Sequence, residues 1–167
     1  EMRAYVTAEE VHRARELARS PVRELLGVLW VTGARISEAL AIRRCDLDTR
    51  LQVVTLATLK RRVPTRRTNP IPGEYFAELV VLVLRQGQPV PPAAIKDGDR
   101  AAKWIGTPES RIFTWSRSRA FELVRAALVA AGVEQHRARP HAIRHGHALH
   151  AVRNGVALNV IPRQLGH

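Results

Sequence analysis

The chain has 167 residues and a mass of 18.7 kDa, the size of one ordinary domain. Apolar residues make up 46%, which excludes wholesale disorder, while aromatics at 5% leave Leu, Val, Ile and Ala to fill the core. Twenty-seven Lys and Arg against 15 Asp and Glu give a net charge of +12 and an isoelectric point near 11.4, which favours a polyanionic partner, nucleic acid before an anionic membrane.

Thr7-Ala8-Glu9-Glu10 is a capping box, which predicts an amphipathic helix running to about Arg19. Ser20-Pro21 reads as N-cap and first helical residue of a second, apolar helix from Val22 to Thr32, carrying Leu25, Leu26, Val28, Leu29, Trp30 and Val31. Gly33 supplies its stop. A third helix is predicted from Ile36 to Arg44. Gln52 to Leu59 reads as a strand, Lys60 to Thr65 as a basic turn and Arg66 to Pro72 as an extended return, which together make a β-hairpin.

Glu74 to Gln86 is a further apolar helix. Gly87 to Ser110 holds four of the ten prolines and reads as a long loop, with a short turn of structure near Ala101 to Ile105. Ser116 or Ser118 caps a helix through Ala131, ended by Gly132. His141 to Arg153 is helical, and a last short helix over Leu158 to Leu165 is disturbed by Pro162. The pattern is mostly α with one small antiparallel sheet, an α+β domain.

Cys45 is the sole cysteine, so internal disulfides and multi-cysteine zinc modules are excluded, a reducing compartment fits, and a small buried role is expected for it. Apolar stretches fall short of the roughly 18 residues a membrane span needs, and no signal peptide is visible. Glu1 at the first position suggests that the numbering begins inside a longer chain or after a removed tag. Trp30 is expected in the core; Trp104 and Trp115 border the long loop. His141, His145, His147 and His150 raise a metal reading, but no third ligand stands at a recognised spacing, so no metal is expected.

Cationic and imidazole groups stand in unusual contexts in several separated segments. Arg35 lies in T-G-A-R-I-S-E, beside the core-facing Ile36 and Leu40. Lys60 sits at the hairpin tip. His141 and Arg144, three apart in H-A-I-R, share a helical face, and His167 closes L-G-H. A guanidinium is a planar fork that matches two phosphate oxygens. Two such forks with imidazoles describe a clamp for a phosphodiester, whose transition-state charge sits on its non-bridging oxygens.

These segments resemble the catalytic domain of the tyrosine recombinases, the lambda-integrase family. T-G-A-R-I-S-E-A-L with Asp46 downstream resembles the family's first-arginine box. H-A-I-R-H-G-H-A, then Gly155, then Q-L-G-H resembles its second. The order and spacing fit: 25 residues from Arg35 to Lys60, 3 from His141 to Arg144, 23 from Arg144 to His167. Nearly the whole chain, 1–167, is covered.

The resemblance implies that Arg35 and Arg144 hold the non-bridging oxygens of the scissile phosphate, with Glu38 supporting the arginine pocket. Lys60 would protonate the leaving 5′ oxygen, His141 would assist proton transfer, and His167 would donate to a phosphate oxygen. No metal or cofactor is implied. Arg61, Arg62, Arg66, Arg67, Arg137 and Arg139 are expected to contact backbone phosphates of double-stranded DNA.

The chain departs from the family pattern in lacking a tyrosine about nine residues beyond the L-G-H histidine; Tyr5 and Tyr75 match no nucleophile position. It is therefore expected to stop short of the nucleophile, to lack the family's N-terminal DNA-binding domain, and to be monomeric and inactive as given. The whole protein is expected to work as a tetramer on paired sites, in the cytoplasm at the nucleoid. A type IB topoisomerase-like enzyme and a non-catalytic DNA-binding regulator derived from the fold are the alternatives.

Overall fold

A computed structural model describes residues 4–58, 65–86 and 108–165. Seven helices appear among them: α1 (Ala8–Leu17), α2 (Val22–Thr32), α3 (Ile36–Leu40), α4 (Gly73–Gln86), α5 (Arg117–Ala130), α6 (Pro140–Arg153) and α7 (Val160–Leu165). Three short strands, β1 (Leu47–Asp48), β2 (Val53–Thr58) and β3 (Thr65–Pro70), form one antiparallel sheet in that order. The mostly helical fold with a small sheet agrees with the sequence.

Helix α2 is the axis of the molecule. Leu25, Leu26, Val28 and Leu29 are fully buried on it, each worth roughly 2 kcal/mol of transfer free energy. It packs against α1, α3, α4, α5 and α6. The predicted capping box starts α1: Thr7 Oγ1 accepts from the Glu10 amide, and the Glu10 carboxylate accepts from the Thr7 amide. Ser116 caps α5 in the same way through the Arg119 amide. Helix α6 crosses the N-terminal segment so closely that a Cβ on Gly146 would lie 1.9 Å from the Val6 carbonyl oxygen. Val6 in turn donates its amide to the Ala142 carbonyl.

The sheet runs Val53↔Pro70 through Thr58↔Thr65 in register, with Val54, Leu56 and Thr58 buried on one face. Arg67 lies opposite Leu56, so its side chain is delivered to that inward face. This placement matters below.

Several boundaries differ from the sequence reading. Helix α3 ends at Leu40 rather than Arg44, because Arg43 pairs with Arg111 in an isolated bridge and Arg44–Asp46 form a 3-10 turn held by the Asp46 carboxylate on the Arg43 amide. The short β1 follows at once, a strand too brief to show periodicity. Pro21 is the N-cap of α2 rather than its first helical residue. Pro162 does not disturb α7; it sits in the first turn, where a proline costs no intrahelical bond. Cys45 is exposed, not buried, because the 3-10 turn points it outward. The expected loop over 87–107, with Trp104 and the turn near Ala101 to Ile105, lies outside the described residues, as does the hairpin tip. Trp30 is core, and Trp115 packs at the core's edge.

Candidate active site

The site is organised by the end of α2. Gly33 caps the helix in the left-handed region, at φ 59°, which a side chain adopts only with strain. A Cβ there would also lie 2.6 Å from both His147 Cδ2 and Leu165 Cδ2. The missing side chain lets α6 and α7 settle onto the turn that leads into α3. Arg144 of α6 reaches through this contact and donates to the Gly33 carbonyl at 2.8 Å and to the Leu165 carbonyl at 2.9 Å. Arg35 is two residues beyond Gly33, as N-cap of α3. Two guanidiniums separated by more than a hundred residues of chain are thus brought to one turn.

Glu38 lies at the centre. It is fully buried and accepts the Arg35 amide and the Arg35 Nη1, each at 3.0 Å, and Arg67 Nη2 at 2.8 Å. Burial alone pushes its carboxyl up, but the bonds from Arg67 and Arg35 outweigh it and hold the group below the ordinary carboxyl value. Arg144, 5% exposed, is pushed down to about 10, first by burial and then by the charges of Arg35 and Arg67, with Glu38 opposing. It stays protonated at neutral pH. Three guanidiniums around one carboxylate leave an excess of two positive charges in a poorly solvated place, a setting that favours an anion.

His141 stands at the rim of this cluster. Partial burial, its neighbour His145, and the charges of Arg144, Arg139 and Arg35 hold its imidazole below the ordinary value, so it is neutral at neutral pH. The His141 and His145 rings lie 4.3 Å apart. His147 and His150 instead pack on Trp30, so the four histidines divide between two neighbourhoods. Among the described residues no group of three His, Cys, Asp or Glu is placed to hold a metal ion.

Of the expected site residues, Arg35, Glu38, His141 and Arg144 are gathered here, and Arg139 adds its charge beside His141. Lys60, Arg61, Arg62 and His167 lie outside the described residues. Arg66 is 65% exposed at its side chain and pairs with Asp46, so it remains at the surface. Two of the expected phosphate contacts are placed differently from Arg66. Arg67, expected to reach DNA phosphates, is turned inward and spent on Glu38 and on Thr58 Oγ1. Arg137 is buried on the far side of α6's N-cap turn, where it bonds both oxygens of Glu10, the Tyr5 carbonyl and Glu134. Its charge is matched internally. The inward turn of Arg67 was readable only from the sheet register, since T-R-R-T-N-P shows no apolar alternation.

A separate cleft of about 90 Å³ lies between Tyr5, Thr7, Trp30, His150 and Arg153. Its lining shares no residue with the arginine cluster. Tyr5 packs near Arg153, and Tyr75 lies 3.9 Å below Arg15, so the contacts of both tyrosines are made with other parts of the molecule.

The family model of the phage integrases matches residues 4–167. The chain belongs to the phage integrase family. Its relatives are tyrosine recombinases, and the domain has their catalytic fold. A resolvase of Escherichia coli is 31% identical over 190 residues, which covers 100% of this chain and 70% of the relative. The tyrosine recombinase XerD of Mycobacterium tuberculosis is 30% identical over 145 residues, covering 87% of this chain but 43% of that protein. Among solved structures, XerA recombinase superposes with a TM-score of 0.75 at 22% identity, over all of this chain and 57% of XerA. A lambda integrase dimer bound to a COC′ core site gives 0.67 at 15% identity, over all of this chain and 59% of that one. This integrase-family domain therefore spans about half of XerD and XerA.

Proposed function

We propose that the protein is a site-specific recombinase that cuts and rejoins double-stranded DNA through a 3′-phosphotyrosyl intermediate. Arg35 and Arg144 hold the two non-bridging oxygens of the scissile phosphate and stabilise the charge that grows there. Lys60 protonates the leaving 5′ oxygen, and neutral His141 takes or relays a proton beside it. His167 donates to a phosphate oxygen. Glu38 orients Arg35. The attacking tyrosine is expected beyond His167 in the whole protein, and its phosphotyrosyl bond keeps the energy of the broken phosphodiester for rejoining. Such chemistry needs neither nucleotide hydrolysis nor a metal.

The observation that carries this reading is the meeting of Arg144 and Arg35 at the Gly33 turn around one carboxylate. Further support comes from related structures that hold DNA: XerH bound to its difH substrate, and a lambda integrase dimer bound to a COC′ core site. The working unit proposed is a tetramer on two DNA sites, and the setting is the nucleoid in the cytoplasm. Among the described residues no helix is long and apolar enough to cross a membrane. Arg61, Arg62, Arg66 and Arg139 are proposed contacts to backbone phosphates, which would give affinity and salt dependence rather than sequence reading.

The test uses the whole protein and nicked suicide DNA substrates carrying its recombination site. Covalent protein–DNA adduct is expected, and Arg35→Ala or Arg144→Ala removes it while leaving duplex binding within severalfold. Adduct formation at the normal rate by either variant contradicts the assigned roles. Binding without any adduct in the wild type favours the DNA-binding regulator instead.

A further inference from the structure

Two arginines from different elements hold the one carboxylate of the cluster. Glu38 Oε1 accepts from Arg35 Nη1 at 3.0 Å. Its Oε2 accepts from the Arg35 amide at 3.0 Å and from Arg67 Nη2 at 2.8 Å. The other arm of Arg67, Nη1, donates to Thr58 Oγ1 at 3.0 Å. Thr58 ends β2, just before the segment that carries Lys60.

A guanidinium beside a lone carboxylate closes a two-point fork on it. Here the fork stays open, because one lone pair of Oε2 accepts from the Arg35 amide and the other is taken by Arg67 Nη2. Among the described residues the Arg35 side chain donates from Nη1 alone, and it is 25% exposed. Its remaining N–H groups are kept for another acceptor. Arg67 is poorly placed to serve as that anion's ligand itself: its side chain is 12% exposed, and both Nη atoms are spent on Glu38 and Thr58.

The geometry points to Arg67 as a positioning residue that holds Glu38 Oε2, keeps Arg35 in a one-point contact, and so leaves the Arg35 donors free for a phosphate. This rests on the phosphate-site reading above and deepens it. Without Arg67, Glu38 turns both oxygens onto Arg35 and competes with the phosphate for the same N–H groups. Arg67 thereby also ties the end of β2 to the α3 cap.

The experiment follows the guanidinium ¹⁵N and ¹H signals of this chain by NMR, with inorganic phosphate as the probe, in Arg67→Met, Arg67→Lys, and Arg67→Met combined with Glu38→Gln. Before phosphate is added, Arg67→Met is expected to slow rotation of the Arg35 Nη groups as the fork closes, and Arg67→Lys is not. With phosphate, Arg67→Met weakens binding about tenfold, the scale of one charge-assisted bond. Arg67→Lys stays within about twofold, because an ammonium still occupies Oε2. Glu38→Gln added to Arg67→Met restores most of the lost affinity, since the competing carboxylate is gone. A purely structural Arg67 gives no such restoration.

Unchanged Arg35 signals in Arg67→Met, Arg67→Lys as damaging as Arg67→Met, or no rescue by Glu38→Gln overturns the proposal. If Arg67→Met does not fold, Arg67→Gln replaces it with the same expected direction. Wild type that binds no phosphate refutes the phosphate-site reading, while the phosphate-free Arg35 signals still judge the role of Arg67.

Discussion

Of the three buried arginines among the described residues, Arg137 and Arg144 lie on neighbouring stretches of chain, and they are treated in opposite ways. Arg137 is met by both oxygens of Glu10, by Glu134 and by the Tyr5 carbonyl. Those bonds, Glu10 first, raise its affinity for its proton. Arg144 donates to the backbone carbonyls of Gly33 and Leu165 and lies in the field of Arg35 and Arg67, and burial pushes it down to about 10. The first arginine fastens the N-terminal segment to the α5–α6 connection. The second is desolvated beside the charges of Arg35 and Arg67, with Glu38 opposing them. Burial alone does not mark a functional arginine; the sign of its surroundings does.

Substitutions that separate these two fates are the sharpest way to break the comparison. Arg144→Ala is expected to have the largest effect, a loss of about a thousandfold in the DNA cleavage rate of the whole protein, since a preorganised donor to the transition state is removed. Gel assay of adduct formation reads it. Next is Gly33→Ala, which places a side chain in the left-handed region and against His147 and Leu165. A cost of about 2 kcal/mol and a fall of about 5 °C in Tm are expected from calorimetry. Arg144 loses its seat with it, so anion binding weakens too.

Arg137→Met sharpens the contrast from the other side. It leaves Glu10 without its main cation and should cost about 2 kcal/mol in urea unfolding, while DNA affinity at fixed salt stays unchanged. A folded Arg137→Met protein with clearly weakened DNA binding would return Arg137 to the phosphate contacts. A smaller effect is expected from pH. The Glu38 carboxyl is lower in the folded state than in the unfolded chain. Its contribution is therefore present above the unfolded value of 4.5 and is lost as pH falls through the lower folded one. Urea midpoints measured against pH should fall on that acid limb, and Glu38→Gln should flatten it. The smallest effect is that of Arg66→Ala, exposed and paired with Asp46. Stability should change by under about 0.5 kcal/mol, and the salt slope of non-specific DNA binding should shrink by about 1.

Much of this was legible in the sequence, for identifiable reasons. The capping box at Thr7 and Glu10, the apolar run of α2 and its Gly33 stop are local signals, and each appears where its chemistry requires. Arg35, Glu38, His141 and Arg144 were legible as spaced motifs, because helix periodicity and the family pattern both fix their positions. Arg67 and Arg137 were not. Each read as a cation available to DNA phosphates, and its placement depends on a partner far along the chain: Glu38, 29 residues away, for Arg67, and Glu10, 127 residues away, for Arg137. The shortness of α3 was hidden for a similar reason. Its end is decided by the bridge from Arg43 to Arg111, a contact no local window contains.

The claim on which the rest depends is that Arg35 and Arg144 take hold of one phosphate together. A crystal structure of the chain with a short DNA duplex or with inorganic phosphate tests it most directly. One phosphorus is expected with N–H donors of both guanidiniums at about 3 Å from its oxygens. Phosphate bound by one of them alone, or by neither, would contradict the account.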